Sequence, residues 1–378
     1  MIDKGLYREV VVVGANHYNT LWLLRALGMA GFTPTIIIVG RKKEKSFVCK
    51  SKYVKSCFSV FGDKELIDLL VGLKFEQRTV VLTMADVYAK WLDKAYDTLT
   101  TKYILNNCDN KQGGIIKWMD KESQMACAKE CSLSVPYSEK YDLFQENDYS
   151  KVKYPVLIKP EFSTDATKAA FRICYNEIEL DKALNEIKKL CNNVLVQEYI
   201  KHDNEYLMCG VSLGDEVIIP GGDYKLITCS DVKNMGMHTF GYVSANHPSQ
   251  FHDIERVKKM VRNMKYKGLF SVELMLTNDN YYFLEINMRN DGTSYITTQA
   301  GVNLPAIWTA YCYGYDLSIF PTSFKRERTY GLNGANYIKY GLKKVSLFET
   351  LKNFFITKAF SIYKHWDVKP LIFKVLYK

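Results

Sequence analysis

Short apolar runs alternate with helix-spaced apolar positions through the first third of the chain. Val10–Val13 reads as a buried strand ending in Gly14-Ala15-Asn16. Leu21, Leu24 and Leu27 then recur on one helical face, and Gly31 closes the helix. Thr35–Val39, Tyr53–Phe61 and Thr79–Thr83 read as further strands, with helices over Lys64–Leu73 and Asp86–Tyr96. Strands separated by helices imply a doubly wound parallel sheet over roughly residues 1–115.

The pattern changes after a helix at Asp120–Cys131, which Val135-Pro136 ends. Tyr154–Pro160 is a buried strand carrying Lys159 near its end. Ala169–Cys174 is another strand, and Glu177–Leu190 is a helix with Ile178, Ala183, Leu184 and Ile187 inward. Val194–Gln197 runs into Glu198-Tyr199-Ile200. Tyr206–Leu213 and Glu216–Pro220 form a hairpin around Gly214-Asp215, Ile254–Met264 a basic helix, and Pro305–Gly314 a helix. This segregated order is α+β. The tail, 345–378, holds a helix-length stretch, SLFETLKNFFITKAFSIYKHW, mixing Leu and Phe with Lys. Docking on the body is its default fate; lying on an anionic membrane is the alternative.

Phe270–Leu276 and Tyr281–Ile286 pair as a hairpin through the turn Asn278-Asp279-Asn280. A three-residue turn centred on Asp279 sets Glu273 directly opposite Glu285, with Asn287 on the same face by the period-two rule. Facing carboxylates repel. Either they are solvent-facing residues of an amphipathic hairpin, or they hold a cation between them. Val272, Leu274, Leu276, Phe283 and Ile286 make the strands apolar on nearly every other position, which favours burial and therefore the cation. Oxygen ligands suit Mg²⁺ or Mn²⁺. Arg289 adds a fixed positive charge where an anion can sit.

Composition narrows the classes. The chain has 378 residues, 47% of them apolar and 24% charged, enough for two or three domains with sizeable cores. A net charge of +10 fits an anionic small molecule or an acidic surface. The basic clusters Arg41–Lys45 and Lys325–Arg328 read as solvated loops, and no aromatic-and-basic platform for nucleic acid is present. The ten cysteines lack zinc spacing, and most read as buried thiols of a cytoplasmic protein. No signal peptide or membrane span is expected. Gly14 follows a strand, but the full GxGxxG is missing, so it reads as a turn requirement and no NAD site is inferred.

Lysine on a strand at Lys159-Pro160, the hinge VQEYI at 196–200, and EINMRNDGT at 285–293 followed by AGVNLP at 300–305 occur in an order that resembles the ATP-grasp superfamily of carboxylate–amine ligases. The likeness covers roughly residues 120–315. Within the superfamily the chain looks closest to the carbamoyl-phosphate-synthase-like and D-aspartate-ligase-like members associated with cell-envelope or surface-polysaccharide assembly.

The resemblance implies a pre-ATP-grasp Rossmann-like domain over 1–118. An ATP-grasp domain would follow over 119–330, with a nucleotide lid about 130–198 and a metal-binding subdomain about 199–330, then a basic extension over 331–378. It implies ATP and Mg²⁺ (or Mn²⁺) as cofactors, with small-molecule carboxylate and amine substrates. Lys121 and Lys159 would hold the phosphates, with Lys225 a further contact. Backbone atoms of Glu198, Tyr199 and Ile200 would read adenine, and Glu205 would take the ribose. Glu273, Glu285 and Asn287 would bind the metal, and Arg289 would neutralise the transferred phosphoryl. A homodimer is compatible with this reading. The loop after Lys159 departs from the glycine-rich family pattern; Ser163, Thr164, Thr167 and Lys168 would contact phosphate instead. The alternative function is a non-catalytic or regulatory ATP-binding protein.

Overall fold

Val10–Val13, apolar on both faces, sits at the centre of the first sheet in the computed structural model. The structure describes residues 8–161, 171–201, 204–228, 238–246, 254–277 and 280–377. Five parallel strands lie in the order Ser56–Val60, Thr33–Val39, Glu9–Gly14, Thr79–Thr83, Tyr103–Ile104. Val10 and Val12 pack towards the helix Tyr18–Met29, while Val11 and Val13 meet Leu66, Leu70, Tyr88 and Leu92 on the opposite face. Two covered faces explain why these strands are continuous apolar runs. The strand order reverses between Glu9–Gly14 and Thr79–Thr83, where doubly wound sheets open a crevice at the carboxyl ends. A Cβ on Gly14 would lie 2.5 Å from Thr20 Oγ1, so the glycine serves the close turn expected of it.

The second sheet has four antiparallel strands in the order Ser138–Asp142, Asn193–Glu198, Val156–Pro160, Arg172–Cys174. Helix Glu177–Ile187 covers one face through Leu180, Ala183, Leu184 and Ile187. Ile178, expected inward, is 82% exposed. Nine residues separate it from Ile187, which puts the two about 180° apart around the helix. The opposite face carries Lys159, Leu195 and Gln197.

The third sheet runs Tyr281–Asn287, Tyr266–Leu276, Asn204–Ser212, Gly222–Thr228, His238–Ser244, Thr329–Leu332, Thr357–Phe360. Its last pairing is parallel. Several expected elements are redrawn. The helix over Asp86–Tyr96 divides into Asp86–Lys94 and Tyr96–Leu99. The helix-length tail becomes helix Leu347–Ile356 followed by the strand Thr357–Phe360. The extension expected to begin at 331 is thus no separate unit, because its strand completes the third sheet. It is also tied to the first domain. Arg25 pairs with Asp367 at 2.9 Å with both side chains buried, and Trp22 Nε1 donates to Phe360 O at 2.9 Å. Most described cysteines are buried thiols, while Cys49 and Cys57 form a disulfide. Among the described residues, no helix is long and apolar enough to cross a membrane.

Candidate functional site

Glu273 stands opposite Glu285, and Ser271 opposite Asn287, so four oxygen-bearing side chains share one face of the hairpin. The route to this register differs from the expected one. Leu276 pairs with Tyr281 and Leu274 with Phe283, and Thr277 N–H donates to Asn280 O at 2.7 Å. Continued regularly, that register would set Glu273 against Leu284. A bulge at Leu284 absorbs the offset and returns Glu285 to face Glu273. Asn278 and Asp279 lie outside the described residues.

Both glutamates are half-buried, and Asn287 is 7% exposed. Among the described residues the Glu285 carboxylate has no hydrogen bond or ion pair, and the buried Asn287 Nδ2 has no partner. No group of three or more His, Cys, Asp or Glu side chains gathers at metal-holding geometry among the described residues. Two facing carboxylates and an amide, all offering oxygen, nevertheless fit a hard divalent ion. A cavity of about 60 Å³ lies here, lined by Asp86, Lys90, Gln124, Glu285 and Asn287.

Arg289 follows on the same alternation, its side chain 15% exposed. Its guanidinium reaches Asp291 at 2.9 Å and Asp86 at 3.3 Å. Burial works against the charge, but Asp86, Asp291 and Glu273 outweigh it and hold the group above its ordinary range. Asp86 comes from the first domain, where it opens the helix that follows the switch-point strand Thr79–Thr83. The same junction is closed by Asn290 N–H donating to Thr83 O at 3.2 Å, and by Gly292, where a Cβ would lie 2.3 Å from Asn19 Nδ2. Sequence reasoning missed Asp86, which it placed only at the start of a helix, because its pairing with Arg289 joins residues 203 apart in the chain.

Lys159 is 4% exposed, with Nζ 3.0 Å from Gln197 Oε1 on the neighbouring strand. Lys121 opens the helix Lys121–Glu130, is equally buried, and lies 3.5 Å from Pro160 O. Glu205 and Lys225, expected to make separate ligand contacts, are ion-paired with each other. The hinge also differs from expectation. Glu198 N–H donates to Tyr137 O at 2.7 Å and Tyr199 N–H to Pro155 O at 3.0 Å, so sheet pairing removes both amides from contact with a base. Ile200 is buried beside them. A cavity of about 650 Å³ opens at this hinge against Tyr137, Tyr141, Tyr154 and Tyr199, together with Val156 and Val196. By strand alternation it is on the face away from Lys159. Ser163, Thr164, Thr167 and Lys168 lie outside the described residues.

Three sheets, one carrying the buried Lys159 and another the acidic hairpin, make up the class of fold in which the site sits. Residues 245–329 match the family described as ATP-grasp in the biosynthetic pathway with Ter operon. The carbamoyl phosphate synthase large chain, C-terminal section, of Aquifex aeolicus is 26% identical over 186 residues, 47% of this chain and 33% of that protein. The large chain from Saccharolobus solfataricus is 25% identical over 166 residues, covering 41% and 15%. The matches thus span a third or less of these relatives. Among solved structures, the biotin carboxylase domain of Hydrogenobacter thermophilus 2-oxoglutarate carboxylase, with MgADP, superposes at a TM-score of 0.66 and 18% identity, covering 86% of this chain and 73% of that one. N5-carboxyaminoimidazole synthetase from Staphylococcus aureus, with ADP, gives 0.66 and 13%, covering 89% and 86%. The L-amino acid ligase of Bacillus licheniformis gives 0.62 and 14%, covering 81% and 74%. These structures show that the chain has the fold of the ATP-grasp enzymes, and residues 245–329 carry the match to an ATP-grasp family.

Proposed function

We propose that the protein is an ATP-dependent ligase that joins a carboxylate to an amine through an acyl-phosphate, releasing ADP and phosphate. The observation that carries this reading is the opposition of Glu273 and Glu285 beside Asn287, on a hairpin bound to the same helix that contacts the Lys159–Gln197 pair. Relatives bearing ligase and synthetase names support it.

A carboxylate acylates an amine poorly because its leaving group is poor. Phosphorylation turns that group into phosphate, and the protein supplies position and charge. In this reading Lys121 and Lys159 bind the ATP phosphates, Glu205 the ribose, and the 198–200 hinge the base through groups other than the Glu198 and Tyr199 amides. Lys225 orients Glu205 through their ion pair. Glu273, Glu285 and Asn287 would hold Mg²⁺ or Mn²⁺, which when bound screens phosphate charge. Arg289, fixed by Asp86 and Asp291, neutralises the phosphoryl group in transfer. We place the reaction in the cytoplasm. The expected link to cell-envelope or surface-polysaccharide assembly gains no support from the relatives above and is left out of the proposal.

The test is a phosphate-release screen of paired amino acids, sugar acids and amines, with Glu285→Gln as the blank. Release that requires both a carboxylate and an amine supports the ligase. ATP binding without release in any pair favours a regulatory nucleotide binder, and release undiminished in Glu285→Gln overturns the metal assignment.

A further inference from the structure

Helix Leu347–Ile356 turns its apolar stripe away from the protein. Its inward side is made by Thr350, which is buried, by Asn353, whose Nδ2 donates to Tyr337 Oη at 2.9 Å, and by the Phe354 ring against Tyr337 and Phe360. Its outward side carries Leu347, Phe348 and Phe355, exposed by 77, 77 and 83%, with Leu351 at 52%. At about 100° per residue these four fall on one face. Ile338 and Leu342, just before it, are exposed as well. An amphipathic helix normally buries such a stripe, so a contiguous exposed one marks a contact surface.

Charge identifies the occupant. Between Asn333 and Phe360 the chain has lysines at 339, 343, 344, 352 and 358, all exposed, against a single carboxylate, Glu349. A two-fold contact between copies would bring like charges together across the stripe. An anionic lipid surface instead offers an apolar layer for the phenyl and leucyl groups and negative headgroups for the ammonium groups. Position is favourable too. The strand that follows, Thr357–Phe360, forms the edge of the third sheet opposite the acidic hairpin, so a membrane there leaves the candidate site open.

We propose that Leu347–Ile356 is a peripheral membrane contact. It lies in the headgroup layer of an anionic bilayer, with Leu347, Phe348, Leu351 and Phe355 inserted and Lys339, Lys343 and Lys352 against the headgroups.

Co-sedimentation of the full chain with phosphatidylcholine vesicles, with and without about 30% phosphatidylglycerol, tests this at low salt. The wild-type chain should pellet with the anionic vesicles and stay in solution with the neutral ones. Added salt and the pair Lys339→Glu, Lys343→Glu should each release it. The pair Phe348→Ser, Phe355→Ser should weaken pelleting about tenfold or more without lowering the unfolding temperature. A wild-type chain that remains in solution with anionic vesicles overturns the proposal. So does a dimer in solution that the serine pair converts to monomer, which would make the stripe a subunit interface.

Discussion

Gln124 and Ile286 bond to each other twice. The Gln124 amide donates to Ile286 O at 3.1 Å and accepts from Ile286 N at 2.9 Å. It thereby fills the edge of the acidic hairpin between Glu285 and Asn287. The next residue, Met125, accepts from Gln197 Nε2 through its sulfur at 3.4 Å, and Gln197 holds Lys159. Two adjacent residues of one helix thus position groups from two sheets. Gln124→Leu should cost about 1–3 kcal/mol, because it strands a buried backbone donor and acceptor. It should also lower nucleotide-dependent phosphate release. Urea unfolding reads the first effect; no loss of stability would mean that the two bonds are not maintained in solution.

Glu285→Gln should separate stability from activity. Removing one of two facing charges should raise stability by up to about 1 kcal/mol in the absence of metal. The same change should abolish the rise in unfolding temperature that Mg²⁺-ATP gives the wild type. Thermal scans with and without Mg²⁺-ATP measure both, and a variant stabilised as strongly as wild type would exclude the carboxylate from metal binding.

Arg289→Ala should be among the costly substitutions, at about 3–5 kcal/mol, since it leaves Asp86 and Asp291 without their cation at a largely buried junction. Arg289→Lys keeps a charge but loses the fork that spans both acids. It should therefore recover part of the stability and little of the activity. A chemical-denaturation series on the two variants distinguishes these contributions.

Lys364 makes stability depend on alkaline pH. It is buried, its Nζ donating to Gln299 Oε1 at 2.7 Å, and burial, with repulsion from Arg25 and Lys358, lowers its pKa from 10.5 to about 8. The unfolded chain therefore holds more protons than the folded one between about 8 and 10.5. The charge weakens the fold fully below pH 8, and the penalty disappears as pH rises through that window. Lys364→Met should lack this component. The stability difference between variant and wild type should then shift in favour of wild type from pH 7.5 to 10.5; a constant difference in urea unfolding would show that the lysine does not titrate there.

Asp367→Ala should release the C-terminal segment. Asp367 accepts from Arg25, from Ser51 Oγ at 2.8 Å and from Lys52 N–H at 2.9 Å. The buried guanidinium left behind should cost about 3–5 kcal/mol, and cleavage within 357–377 by trypsin should accelerate.

The first sheet was legible because each strand carries its evidence within itself. Val10–Val13 and Val80–Leu82 are apolar on successive positions, as expected of strands covered on both faces. Spacing also put Glu273 opposite Glu285, but through a regular ladder that does not occur; the bulge at Leu284 is what restores the pairing. Strands such as Gly222–Thr228 and His238–Ser244 were not legible, because polar residues and a register shift break their alternation.

Sequence alone determined which faces are apolar and which residue types recur at strand and helix periods, because those are local properties of the backbone. Tertiary structure decided what each face meets. Asp86 finds Arg289 across 203 residues, the Leu284 bulge corrects the hairpin register, and neighbouring strands occupy the Glu198 and Tyr199 amides. Periodicity says that a group is buried; the identity of its partner depends on elements brought together only by the packing of the whole chain.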